Sequence, residues 1–380
     1  MTLIRDAIHG GIEINGLEEQ IVDDPLFQRL HGVKQLSVAH LVYPSALHTR
    51  FEHSLGSMHL TGTLAERLNL SVEEVQLVRV AALLHDVGHG AFSHTSDDVL
   101  EKHTGKPHEL RGLELVEETA LKDTLQEHGV LIFDLKKCFE GVDAGALITH
   151  ELGTDRMDYL LRDAYFTGVG YSSVDHQRLL ETMALENGAL VIQEKGVVAA
   201  ESLLVSRHLM FNAVYLHPTV RIASAMAQTM LETALSENQI CLEDVTQGTD
   251  EPLLYQLAQK NPWAQRLRER RLLKKAVVLQ TTNMNEETKK FLSQKDAEQK
   301  IKDALGEDGV TECAVCLPPK RKKHEGILVK TKAGGVEPLE KHSALLHALN
   351  VAQSRDTLIV ACNENYKEKA AQTVKQLLKG

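Results

Sequence analysis

The segment Leu83-Leu84-His85-Asp86-Val87-Gly88-His89-Gly90-Ala91-Phe92-Ser93-His94 constrains this chain more than any other. It sets an imidazole and a carboxylate side by side at the end of an apolar run. Two glycines and two further histidines follow. Gly88 and Gly90 let the backbone turn sharply and bring His89 and His94 back towards His85 and Asp86. A carboxylate among apolar neighbours is costly unless a cation or hydrogen bonds compensate it. A lone His-Asp pair is more often a surface or cap feature, but this context favours a divalent transition metal, which accepts mixed nitrogen and oxygen ligands. His53, in Arg50-Phe51-Glu52-His53-Ser54, offers a third ligand. Asp155, in Gly153-Thr154-Asp155-Arg156, offers a fourth, although taken alone it reads as a helix-start residue balancing the dipole. Two imidazoles and two carboxylates leave coordination positions open for water and a phosphate oxygen.

Around this segment the pattern is helical. Ser71-Val72-Glu73-Glu74 is a capping box, Val72, Val75, Val78 and Ala82 repeat at helical spacing, and Gly88 is the expected stop. Helices are also expected over Arg50–Leu68 and from near Thr154, where Asp155, Asp158, Tyr159 and Asp163 share one stripe. Residues 1–20 read as a short β-hairpin or an extended entry, and 177–240 as helices interrupted by a strand or turn at Gly188–Val198. After Arg266–Lys275 the character changes. Ala276–Leu279, Cys313–Leu317, Gly326–Val329 and Thr357–Ala361 read as strands, Lys341–Ala352 and Tyr366–Leu378 as helices. The expected fold is mainly α: a helical domain over residues 1–275, with a metal core at about 48–165, and a smaller C-terminal α+β domain over 276–380.

With 42 Lys+Arg against 53 Asp+Glu, the net charge of −11 repels polyanions overall and confines any anion site to a local cluster. Aromatics are 4% of the chain, with Trp263 the single tryptophan, which argues against a broad stacking platform for nucleic acid. Eleven of the 19 histidines fall within the first 108 residues, a crowding that asks for a chemical reason. Five dispersed cysteines (Cys138, Cys241, Cys313, Cys316, Cys362) read as reduced thiols of a cytoplasmic protein. No apolar leader or run of 18 apolar residues is found, so no membrane span is expected.

His53, His85-Asp86 and Asp155 together resemble the H…HD…D arrangement of the HD superfamily. The flanking text is similar to its deoxynucleoside triphosphate triphosphohydrolase branch. The matching stretches are Asp6-Ala7-Ile8-His9-Gly10, Pro25–Leu30, Lys34-Gln35-Leu36, His48–Gly56, His85–His94 and Asp155–Asp163, with a weaker one at Tyr215-Leu216-His217. This resemblance covers roughly residues 3–225. It implies an HD-type helical domain in which His53, His85, Asp86 and Asp155 hold a divalent ion (Mn, Fe, Zn, Ni or Mg), and hydrolysis of a dNTP to deoxynucleoside and tripolyphosphate. It further implies a catalytic group of His89, Asp97, His108 and Glu109 beside the scissile phosphate. Gln35 and Arg50 correspond to contacts with sugar and phosphate, His94, Arg156 and Tyr159 to phosphate contacts, and Asp163 to the residue reading the sugar 3′-hydroxyl. Tyr215 corresponds to a ring against the deoxyribose, with core packing an even alternative. Lys34 or Arg207 would add positive charge towards the about four negative charges of a triphosphate. A homo-oligomer, dimer or tetramer, is the expected assembly.

The vertebrate member of that branch is switched on by guanine nucleotides. Thr2 and His31 stand where its Lys and Arg contacts fall, although Asp23 and Gln28 remain, so this switch is not expected here. Cys313-Ala314-Val315-Cys316 has zinc-type spacing without a second pair, only His324 lying close by, and reads as a strand with two buried thiols. Pro318–His324 is a compact basic loop, read as a solvated hairpin tip, so nucleic-acid binding is not favoured. Two rival functions stay open. One is another HD phosphohydrolase, a nucleotidase or phosphodiesterase; the other is a non-catalytic nucleotide or nucleic-acid binding protein, against which the intact metal and imidazole set argues.

Overall fold

The structure is a computed structural model that describes residues 2–171, 174–306, 312–319, 326–351 and 356–378. The basic stretch Lys320–His324 lies outside the described residues. The chain opens with the expected hairpin, strand Thr2–Asp6 antiparallel to Gly10–Ile14. In its turn, Asp6 Oδ1 accepts the amides of Ile8 and His9 at 2.9 and 2.8 Å, and Gly10 takes φ +77°.

The long helix Arg50–Arg67 starts at a Thr49/Glu52 capping box, and Val72–Leu84 at the Ser71/Glu74 box. These two pack on each other, burying Leu55, Met58 and Leu64 from one and Val78, Ala81, Ala82 and Leu84 from the other. Apolar area removed from water contributes about 25 cal/mol per Å², so this buried seam is the main support of the pair. The second helix ends at Leu84 with His85 as its cap, earlier than the expected stop at Gly88. His85 and Asp86 therefore sit in the turn beyond the helix. Helix Thr154–Thr167 crosses the first so closely that a Cβ on Gly56 would lie 1.9 Å from Asp158 Oδ1.

The fold is mainly α, as expected, and the chain divides into two compact units. One comprises Met1–Met210, Leu242–Glu251 and His324–Val351; the other Phe211–Cys241, Pro252–Lys323 and Ala352–Gly380. The chain thus passes between the units more than once, where the sequence reading drew one boundary near 275. The strand expected at Gly326–Val329 forms as Leu328–Lys330 and pairs in parallel with Ala189–Gln193 of the first unit. Leu190, Val191 and Ile192 are an apolar run that needs a paired edge, and Val329 and Ile327 bury against the same layer. In the second unit, Thr357–Cys362 is the fully buried centre of a three-stranded antiparallel sheet, flanked by Lys274–Gln280 and Cys313–Cys316. Leu292, Ile301, Leu305, Ala370 and Val374, from three helices, pack with this sheet in one core. Cys313 and Cys316 are buried strand thiols, and burial pushes Cys316 up to about 12.

The helical run Glu194–Tyr215 has the length and apolar composition of a membrane span. Its Ala200, Leu203 and Leu204 are fully buried in the protein, as in an ordinary core helix.

Candidate metal and catalytic site

The side chains of the four predicted ligands converge in the first unit. His53 Nε2 is 3.1 Å from Asp155 Oδ1 and 3.7 Å from Asp86 Oδ2; His85 Nε2 is 3.3 Å from Asp86 Oδ1 and 3.7 Å from Asp155 Oδ1. Donors held about 2.1 Å from one ion sit roughly 3.0–3.4 Å apart, so this spacing suits a common cation. The tautomers agree with it. His85 Nδ1 donates to the Ala82 carbonyl at 2.7 Å, and His53 Nδ1 is 2.7 Å from Asp158 Oδ2, leaving both Nε2 lone pairs for a metal. The residues present fit a divalent ion.

The electrostatics point the same way. Burial works against the Asp86 charge, but Arg50, whose Nη1 donates to it at 2.6 Å, and the imidazoles of His85 and His89 hold its carboxyl well below the usual range. Burial likewise opposes Asp155, and contacts with His53 and His85 lower it. Burial opposes a charge on His53 as well, yet Asp155, Asp158 and Asp86 lift it to about 10.

Beside the ligands lies a second imidazole cluster. His89 Nε2 is 3.4 Å from Asp86 Oδ1, and its Nδ1 is 3.1 Å from Asp97 Oδ2. The His108 ring stacks on His89 at 3.9 Å between centroids, while His94 meets His89 edge-on at 4.6 Å. Arg111 Nη2 fixes Asp97 Oδ1 at 2.6 Å, and Glu109 Oε2 lies 3.5 Å from His108 Nδ1. Burial and the adjacent His89 push His108 down to about 2. Gly88 makes this cluster sterically accessible: a Cβ there would meet the His108 carbonyl oxygen at 1.9 Å. The expected catalytic residues His89, Asp97, His108 and Glu109 are therefore brought together.

The expected substrate residues divide. Arg50 is buried and stretched between Asp86 and Ser93 Oγ; among the described residues its Nη2 and Gln35 Oε1 have no hydrogen-bond partner. His94 is exposed. Tyr159 lies 6.5 Å ring to ring from His53, and burial pushes its hydroxyl up to about 12. Asp163 meets His48 Nε2 at 2.8 Å. Arg156 donates to the carbonyls of Thr149 and His150, and both it and Arg207 pair with Glu151, at 3.4 and 2.5 Å. Lys34 Nζ pairs with Glu251 at 2.7 Å. Tyr215 belongs to the second unit, in the π-helical turn Phe211–Tyr215, and meets Phe211 edge-on at 5.1 Å.

Sequence reasoning missed what stands behind His53. Asp158 accepts from His53 Nδ1, from His9 Nε2 at 2.7 Å, and from Arg162 Nε and Nη2 at 2.9 and 2.8 Å; Arg162 also binds Asp6. This network ties the N-terminal hairpin to His53. Its only signals in the sequence were the placement of Asp158 on the Asp155 stripe and the Asp6–His9 turn.

Residues 50–163 match the HD domain family and residues 174–379 the HD associated region. The uncharacterized protein MJ1154 of Methanocaldococcus jannaschii is 35% identical over 99% of this chain and 82% of its own length. The deoxynucleoside triphosphate triphosphohydrolase SAMHD1 of Danio rerio is 32% identical over 47% of this chain, a match spanning 36% of that protein. Among solved structures, a phosphohydrolase from Bacteroides thetaiotaomicron superposes with a TM-score of 0.77 at 25% identity, covering 96% of this chain and all of that one.

Proposed function

The chain belongs to the HD family of phosphohydrolases, carrying an HD domain and the HD-associated region, and from that premise we propose that it hydrolyses deoxynucleoside triphosphates to deoxynucleoside and tripolyphosphate. The observation carrying this reading is the convergence of His53, His85, Asp86 and Asp155 directly beside the stacked His89–His108 pair. Similarity to a deoxynucleoside triphosphate triphosphohydrolase directs the choice of substrate.

His53, His85, Asp86 and Asp155 would hold the divalent ion. When bound, such an ion supplies Lewis-acid polarisation of the phosphoryl group. Arg50 offers its unpartnered Nη2 to a phosphate oxygen while its Nη1 keeps Asp86 ionised. Gln35 offers Oε1 to a sugar hydroxyl. Water attacks the α-phosphorus in line, the bond to the 5′-oxygen breaks, that oxygen takes a proton relayed through the stacked His89–His108 pair, and the proton given up by the attacking water restores the pair. Asp97 orients His89, and Glu109 faces His108. General acid assistance of this kind is worth roughly 10²–10⁴-fold. His94, Arg156, Tyr159, Asp163 and Arg207 are assigned to the remaining substrate contacts; Arg156 and Arg207 would have to share themselves between Glu151 and the phosphates.

The test is incubation with dNTPs, NTPs, monophosphates and a diester, each with Mn²⁺ or Mg²⁺, followed by identification of products. Tripolyphosphate with deoxynucleoside is expected. Orthophosphate or a cleaved diester would move the protein to another HD activity, and no product at all would defeat the catalytic reading.

A further inference from the structure

Asp250 belongs to the Leu242–Glu251 stretch, far in sequence from the residues of the site, yet it is part of the same unit and only 2% exposed. Its Oδ1 accepts the Phe92 amide at 2.7 Å and its Oδ2 the Lys34 amide at 3.1 Å. A buried carboxylate is costly unless its oxygens are satisfied, and here two backbone donors and the nearby Lys34 ammonium (3.7 Å) satisfy it.

The two amides belong to the two loops on either side of Arg50. Phe92 precedes Ser93, whose Oγ accepts from Arg50 Nε at 2.6 Å; Lys34 precedes Gln35 and follows Val33, whose carbonyl accepts the Arg50 amide at 2.9 Å. Phe92 and Ser93 both adopt left-handed conformations, φ +67° and +52°, which non-glycine residues hold only when their surroundings over-determine them. The rest of the stretch supplies more of that constraint. Val245 O accepts the Ala91 amide at 2.9 Å, Gly90 leaves no room for a Cβ against Val245 O (2.5 Å), and Gly248 O accepts from Arg29 Nη1, whose Nη2 holds Val87 O.

We propose that Asp250 is a positioning residue for hydrolysis: it staples the Lys34–Gln35 and Phe92–Ser93 loops together and so fixes the Arg50 guanidinium between Ser93 and Asp86. This rests on reading Arg50 as a phosphate contact. It places a determinant of the site in the associated region, outside the residues that carry the ligands.

The experiment compares wild type with Asp250→Asn, which keeps one acceptor oxygen and turns an NH₂ towards the other amide. Hydrogen exchange is followed in peptides covering residues 32–36 and 88–94. Steady-state turnover is measured on the best dNTP, or on a p-nitrophenyl phosphodiester where no dNTP is cleaved. Mn²⁺ affinity is measured by calorimetry. Faster exchange in both peptides is expected, with kcat lowered about 10–100-fold, the loss that a misplacement of about 1 Å produces, and an Mn²⁺ Kd within about threefold of wild type. Turnover within about threefold of wild type, exchange gains confined to residues 242–251, or Mn²⁺ affinity lost in step with kcat would each overturn the proposal. Should Asp250→Asn not fold, Asp250→Glu, which keeps the charge but displaces the oxygens by about one C–C bond, is held to the same outcomes. Cleavage of the diester alone by wild type would refute the dNTP reading and leave this comparison intact. Inert wild type would refute the hydrolase reading, while the exchange data still decide whether Asp250 pins the two loops.

Discussion

Replacing Asp158 by asparagine separates holding the fold from orienting the metal. The carboxylate accepts from His53, His9 and twice from Arg162, and the Asp158, Arg162 and Asp6 side chains are no more than 4% exposed. An amide retains one acceptor oxygen, presents an NH₂ to donors that faced the other, and removes a negative charge from a closed set. Breaking a buried ion pair by removing one partner costs about 3–5 kcal/mol. Arg162 keeps Asp6, at 2.8 Å, so the loss here should fall near the lower end, about 3 kcal/mol. His53 meanwhile loses the carboxylate that fixes its tautomer and ring, a change worth about 10–100-fold in metal affinity. Urea unfolding and Mn²⁺ calorimetry on the same preparation read the two effects separately. A protein less stable by about 3 kcal/mol that binds Mn²⁺ as tightly as wild type would refute the argument that Asp158 orients His53.

Other substitutions probe the remaining links. His85→Ala or Asp86→Asn should remove both metal and turnover, whereas His108→Ala should cost about 10²–10⁴ in kcat with metal retained; loss of metal in the latter would contradict the assignment. Because burial is overcome and His53 is lifted to about 10 in the metal-free protein, metal binding must expel a proton. Affinity should therefore fall as pH falls, by about tenfold per unit for each proton released, and calorimetry in buffers of different ionisation heat that detects no release would refute this. Gly88→Ala forces a Cβ against the His108 carbonyl and should cost about 1–3 kcal/mol together with most activity, read by melting and product assay. Ser71→Ala removes a cap from helix Val72–Leu84 and should cost about 1 kcal/mol in urea unfolding without altering Mn²⁺ affinity.

Much of the site was legible in the sequence because its signals are local. The His85-Asp86 pair and the Ser71 capping box act within a few residues, where spacing dictates geometry. The helical character of residues 50–84 followed from periodicity and caps in the same way. Long-range partners left no such trace. Nothing near Arg156 or Arg207 announced that both would meet Glu151, and nothing near Asp250 announced that it would hold Phe92 and Lys34. The strand Leu328–Lys330 reads as β from its residues, but its pairing with Ala189–Gln193 is a choice of partner that an isolated strand pattern does not contain.

The sequence by itself picked out the residues proposed to carry the chemistry and the segments that become helices, since both depend on residue type and short-range spacing. Only the tertiary structure decided how Asp158 and Asp250 are used. A buried carboxylate must find donors, and which donors it finds depends on what folding brings within about 3 Å of it across more than a hundred residues of chain.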